Sequence, residues 1–196
     1  MQSYVGDKMY KGVKIAKIEL DALKELTNKV GDIPLVSEID TFTFGVKIED
    51  EHVVGLGLYD KDIMSVPESI GHLKELKELS LSGNSLESLP NSFGQLTALT
   101  YLDLGSNHFD SLPDLIGQLT SLTSLSLEGN RFDEFPEILT SLKTLTNLEI
   151  DSNEIYELPE SIGQLTSLTS LNIGFNELTD LPESFGELTA LTYLNI

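Results

Sequence analysis

Apolar residues return along most of this chain at a fixed interval. From residue 53 onward they follow LxxLxL, break off, and resume 23 residues later. Leu73, Leu96, Leu119, Leu142, Leu165 and Leu188 keep this interval. So do the columns that begin at Leu76 and Leu79 and end at Leu191 and Leu194. LxL is a period of two, which puts apolar side chains on one face and polar ones on the other. Each copy therefore predicts a short β-strand, near 54–58, 77–81, 100–104, 123–127, 146–150, 169–173 and 192–196. One such unit cannot bury its apolar face alone. The copies must stack strand beside strand into a single parallel sheet.

Two polar marks follow each strand. Asn84, Asn107, Asn130, Asn153 and Asn176 are 23 apart, as are Pro67, Pro90, Pro113, Pro136, Pro159 and Pro182. An Asn amide has two donors and an acceptor, enough to satisfy buried loop backbone in its own unit and the next. Proline ends strand pairing and starts the return segment. Gly71, Gly94, Gly117, Gly163 and Gly186 allow that return to pack closely. Two departures stand out: Lys61 takes the Asn position of the first unit, and Thr140 takes a Gly position. The latter predicts a fuller helical turn there.

Residues 1–52 do not repeat and are expected to form a cap. Ile15, Ile18, Ala22, Leu23, Leu26 and Val30 fall on one helical face, predicting a helix over about 14–30 that ends at Gly31. Phe42, Phe44, Val46 and Ile48 alternate with polar or small residues, predicting a strand over about 42–48. The turn Glu49–His52 would fold that strand against the first repeat strand, so that Phe42 and Phe44 cover the sheet edge. Residues 53–196 then hold about six full units and a partial last one.

The unit LxxLxLxxNxLxxLPxxIGxL resembles the leucine-rich repeat family in its 23-residue form. The segment FGVxxxxxxVxxLxL resembles the N-terminal cap of plant members, without the cysteines. The resemblance implies an α/β fold: a right-handed horseshoe solenoid with a parallel concave sheet and a helix-plus-hairpin cap. It also implies a protein-interaction module, not an enzyme, with the concave sheet as the binding face.

Charge sharpens that expectation. The chain carries 12 basic and 32 acidic residues, a formal net charge of −20. Such a surface repels phosphates and anionic membranes, which argues against nucleic acid and membrane partners. There is no cysteine, hence no disulfide framework or thiolate site. No secretory leader and no run of about 18 apolar residues is visible, so a cytoplasmic location is expected. His52, His72 and His108 occupy three different repeat positions and do not converge. No phosphate-binding or nucleophile motif is present. No cofactor, metal or catalytic set is expected.

The outward positions of the strands hold no Lys or Arg. Glu78, Asp103, Glu128, Glu149 and Asp151 lie there, and the spacing brings the last four into one acidic patch. Tyr59, Tyr101, Phe175 and Tyr193 are outward aromatics of the kind that anchor interfaces. These nine residues form the expected contact surface for a basic protein or peptide. The plainer reading of the same acids is a solvated face that keeps the protein soluble. An alternative function is the sensor or scaffold portion of a larger signalling GTPase, kinase or ligase. The sequence stops in mid-repeat at Ile196, which suggests either further repeats beyond it or self-association through an uncapped C-terminal edge.

Overall fold

The structure, a computed structural model, describes residues 9–196. The first described element is a small hairpin, β1 (Met9–Tyr10) and β2 (Val13–Lys14). It turns through Lys11 and Gly12, both at positive φ, as a two-residue hairpin loop requires. Helix α1 (Lys17–Val30) follows. It ends at Gly31, whose φ is 86° and whose N–H donates to the Thr27 carbonyl at 2.9 Å. Leu20, Ala22, Leu23 and Leu26 face the core. Ile18, expected on that face, is half exposed. Its supposed partner Ile15 is buried but precedes the helix, so the face is set by residues from Leu20 onward.

Strands β3 (Phe44–Glu49) and β4 (His52–Leu58) form the antiparallel cap hairpin. From β4 on, every strand is parallel: β5 (Glu78–Ser80), β6 (Tyr101–Asp103), β7 (Ser124–Ser126), β8 (Asn147–Glu149), β9 (Ser170–Asn172) and β10 (Tyr193–Asn195). Successive strands pair in a strict 23-residue register, Glu78 beside Tyr101 beside Ser124 beside Asn147. The cap strand begins two residues later than expected. Asp40 holds Thr41–Thr43 in a turn instead, its Oδ1 accepting the Phe42 N–H at 3.0 Å and the Thr43 hydroxyl at 2.6 Å. Phe42 consequently stays exposed and covers no core. The apolar end of the solenoid is closed by α1, which packs on β4 and on the first convex turn.

The return segments are single 3₁₀ turns, each entered from one of the periodic prolines: Glu68–His72, Asn91–Gln95, Asp114–Gln118, Glu137–Ser141, Glu160–Gln164 and Glu183–Glu187. The turn containing Thr140 is as short as the others. Its hydroxyl donates to the Glu137 carbonyl at 2.8 Å, which closes the tight turn locally. Close packing against the backbone of the next unit explains the glycine at 71 and 163. A Cβ at Gly71 would lie 2.6 Å from the Ser92 carbonyl oxygen of the next unit.

Columns of Leu fill the core, joined by the fully buried Phe93, Phe109 and Phe132. Two polar ladders tie the units together. Each threonine at 100, 123, 146, 169 and 192 donates its hydroxyl to the carbonyl one unit earlier, at 2.9–3.1 Å. The Asn column is buried at 84, 107, 130 and 153. Asn130 donates to the carbonyls of Leu104 and Leu127, each at 3.0 Å, and accepts the Phe109 N–H at 3.1 Å. Its bonds thus span two units, as the amide inventory requires.

Candidate concave binding face

The concave sheet is not uniformly open. The segment between α1 and β3 lies across its N-terminal end. The Thr41 carbonyl accepts the Ser80 hydroxyl at 3.0 Å, and the Thr41 hydroxyl meets the Tyr101 hydroxyl at 3.2 Å. Beneath this strap the sheet must lack side chains. A Cβ at Gly55 would lie 2.7 Å from Ile39 Cγ1, and one at Gly57 would lie 2.5 Å from the Thr43 carbonyl oxygen. The strap therefore occupies part of the expected contact surface. Tyr59 receives the edge of the Phe42 ring, with centroids 5.2 Å apart. Glu78 lies 3.5 Å from the Lys47 ammonium. Burial pushes the Tyr101 hydroxyl up to about 12. All three are engaged by the chain's own cap.

Two of the expected acids belong to the floor. Asp103 is 1% exposed and Asp151 8%. Each short carboxylate is held by close neighbours. Asp103 Oδ1 accepts the Gly105 N–H at 2.8 Å. Asp151 Oδ1 accepts the Asn172 amide at 2.8 Å, and Asn172 Oδ1 in turn accepts the Asn195 amide at 2.8 Å. A relay of side-chain amides thus runs inward from β10 to Asp151.

Glu128 and Glu149, one methylene longer, reach solvent above this floor. Partial burial raises the Glu128 carboxyl above its ordinary range, and the carboxylates of Asp151, Glu149 and Asp103 add to the rise. Glu149 rises for the same reasons, burial first and then Asp151 and Asp103. Asp103 is raised by burial, against the pull of its hydrogen bonds. Among the described residues no ion pair reaches any of these four. The patch is thus a concentration of negative charge that the described chain leaves uncompensated. No group of three or more potential ligands among the described residues is placed to hold a metal.

Phe175 and Tyr193 flank the acids on the C-terminal side, and both are exposed. Phe175 is 83% exposed and sits at φ 54°. The same loop position is Gly83, Ser106, Gly129 and Ser152 in earlier units, all at positive φ. A solvated Phe in left-handed backbone contributes nothing evident to the fold. The surface left open therefore consists of Glu128, Glu149, Phe175 and Tyr193, over the floor of Asp103 and Asp151. Sequence reasoning missed the contacts of the strap residues Ile39 and Thr41 and of Lys47 on β3. The pair Gly55 and Gly57, by contrast, does read in the sequence as small residues that admit the cap's packing.

Comparison with known proteins agrees with this architecture. A family model described as a leucine-rich repeat region matches residues 52–154, and one described as a leucine rich repeat matches residues 143–196. No curated protein sequence matches the chain. Among solved structures, a Leptospira interrogans LRR protein is 34% identical over 71% of this chain, with a TM-score of 0.60. An internalin from Listeria monocytogenes is 24% identical over 87%, with a TM-score of 0.62, and shares the fold. The LRR ectodomain of the Arabidopsis receptor kinase HAESA, solved in complex with a peptide hormone ligand, is 29% identical over 78%, with a TM-score of 0.69. The chain covers 42%, 49% and 27% of these three structures, less than half of each.

Proposed function

The chain belongs to the leucine-rich repeat family, and from that premise we propose that it is a non-catalytic module binding a basic protein or peptide segment on its concave face. Domains of this family generally mediate protein–protein interaction and are generally non-catalytic. Among the described residues no helix is long and apolar enough to cross a membrane.

The uncompensated group of Asp103, Glu128, Glu149 and Asp151 carries the proposal. The raised carboxyls of Asp103, Glu128 and Glu149 mark a site where an incoming cation relieves repulsion already present in the free protein. Glu128 and Glu149 contact the partner, while Asp103 and Asp151 act from the floor. Phe175 and Tyr193 supply the apolar area at one end. The strap closes the other end, so the segment lies over β7 to β10.

The test is calorimetric titration of the full chain with a lysine- and arginine-rich peptide. Binding should weaken steeply between low and physiological salt. Glu128→Lys with Glu149→Lys should remove the concave-face component of the binding while the melting transition persists. Salt-insensitive binding, or an unaffected double variant, would remove the concave patch from consideration. Asp151 is unsuited to such a charge reversal, because it is buried against the Asn172 amide.

A further inference from the structure

The flank of the solenoid, where the chain passes from the Asn loops to the convex turns, carries a second concave feature. An open groove of about 590 Å³ lies between residues 110–114, 132–138 and 156–159. A contiguous one of about 480 Å³ continues it to residues 179–182, and Tyr156 and Glu157 line both. The first is within the ~300–1,000 Å³ range of small-ligand pockets.

Its floor is apolar: Phe132 is fully buried, Phe135 nearly so, and Leu112 packs part-buried against the core. Phe135 stands where the first unit carries Val66 and the others carry Leu, and the backbone departs from the repeat there. Pro136 has ψ 99°, against 149–156° at Pro67, Pro90, Pro113, Pro159 and Pro182. Tyr156 rises from the groove half exposed, its hydroxyl 3.4 Å from Glu134 Oε1. Every charged residue lining the larger groove is acidic: Asp110, Asp114, Asp133, Glu134, Glu137 and Glu157. Among the described residues none of these six is in an ion pair.

We propose that this flank groove is a second docking site, separate from the concave face, for an extended basic segment of a partner protein. The lining decides the chemistry of the occupant. A Lys or Arg side chain has an apolar stem and a charged head. The stem lies on Phe135 and Tyr156, and the head meets the carboxylates of the rim. An aromatic face beside carboxylates adds cation–π attraction. An acidic or purely apolar segment leaves the rim charges desolvated and unpaired, which opposes binding. Length fits as well. The trough crosses four units, so an extended segment rather than a single side chain fills it.

The test uses the full chain, isotopically labelled for NMR, titrated with a hexapeptide of alternating basic and leucine residues. Amide shifts should gather at 110–114, 132–138 and 156–159. Tyr156→Ala with Glu134→Gln should weaken that site by about tenfold or more, the scale of losing an anchor and a charge contact. Glu128→Gln with Glu149→Gln should leave that site within about twofold, the range for a change that touches no shared partner. All the substituted residues have solvent-reaching side chains, and the unshifted remainder of each variant's spectrum reports that it has folded. Shifts confined to the concave strands, no binding, or an unchanged groove variant would overturn the proposal. So would equal binding of the hexapeptide with glutamate in place of its basic residues. Shifts at the groove with none at the concave strands of the unsubstituted chain would sink the concave reading and leave this one standing.

Discussion

Replacing Asn130 by Ala tests how the buried amide column stabilises the solenoid. Asn130 makes four hydrogen bonds: to the carbonyls of Leu104, Leu127 and Glu128, and from the Phe109 N–H. The three carbonyls are not stranded when it goes. Leu104 O still accepts from Asn107, Leu127 O from Asn153, and Glu128 O from the Ser106 N–H. Phe109 N–H alone is left buried without its acceptor. An orphaned buried donor costs about 1–3 kcal/mol, and the lost second donors to shared carbonyls together add about 1 kcal/mol. The expected loss is thus about 2–4 kcal/mol. Asn84→Ala should cost more, because Asn84 Oδ1 accepts two N–H groups, those of Lys61 and Ile63. Asn130→Asp should be worse than Ala at neutral pH, since it sets a carboxylate against three carbonyl oxygens. It should recover as pH falls through the carboxylate range. Urea denaturation followed by circular dichroism gives the magnitudes, and hydrogen exchange at Phe109 reports the orphaned amide. A loss below about 0.5 kcal/mol, short of even one unsatisfied buried group, would refute the reasoning. Equal losses at Asn84 and Asn130 would refute the count of orphaned N–H groups.

Glu149→Gln should raise stability at pH 7, because the Glu149 carboxyl is raised in the folded state and its ionisation opposes folding. The same change should lower the NMR titration midpoint of Glu128, which the Glu149 charge helps to raise. His52 is raised chiefly by its hydrogen bond to Glu19, at 2.9 Å, with the charges of Glu19, Glu75 and Glu51 adding. Its contribution should be complete below about pH 6.5 and fade as pH climbs through the raised folded value. His52→Gln should flatten that part of the stability–pH curve. Phe175→Gly should change stability by less than about 1 kcal/mol, relief of left-handed strain offsetting added chain entropy. It should nevertheless weaken peptide binding measured by calorimetry.

The parts of the fold legible in the sequence were those that repeat. A 23-residue period fixes strand pairing, the Leu columns and the Asn ladder, because each copy has the same neighbours as the last. What happens once left no such trace. Nothing periodic indicates that Thr41 reaches across to Tyr101, or that Asp40 turns the chain before β3 and leaves Phe42 in solvent. Nothing in the helical pattern singles out Glu19 of α1. It is 3% exposed and clamps the Val53 N–H and the His52 ring. In the candidate site, column membership was readable but depth was not. Asp103 and Glu149 share a column, yet one methylene separates a floor carboxylate from one that meets solvent. Phe135 was visible as a substitution for Leu. The change in Pro136 ψ beside it was not.

The paired ladders of Asn and Thr also have a mechanical meaning. Their hydrogen bonds and those of the strands join unit to unit along the solenoid axis, so the units are linked in series. A force pulling the chain ends apart loads these joints one at a time. Each joint that yields frees one unit of 23 residues, at most about 80 Å of extended chain. Stretched between two anchored points, such a chain lengthens in equal steps.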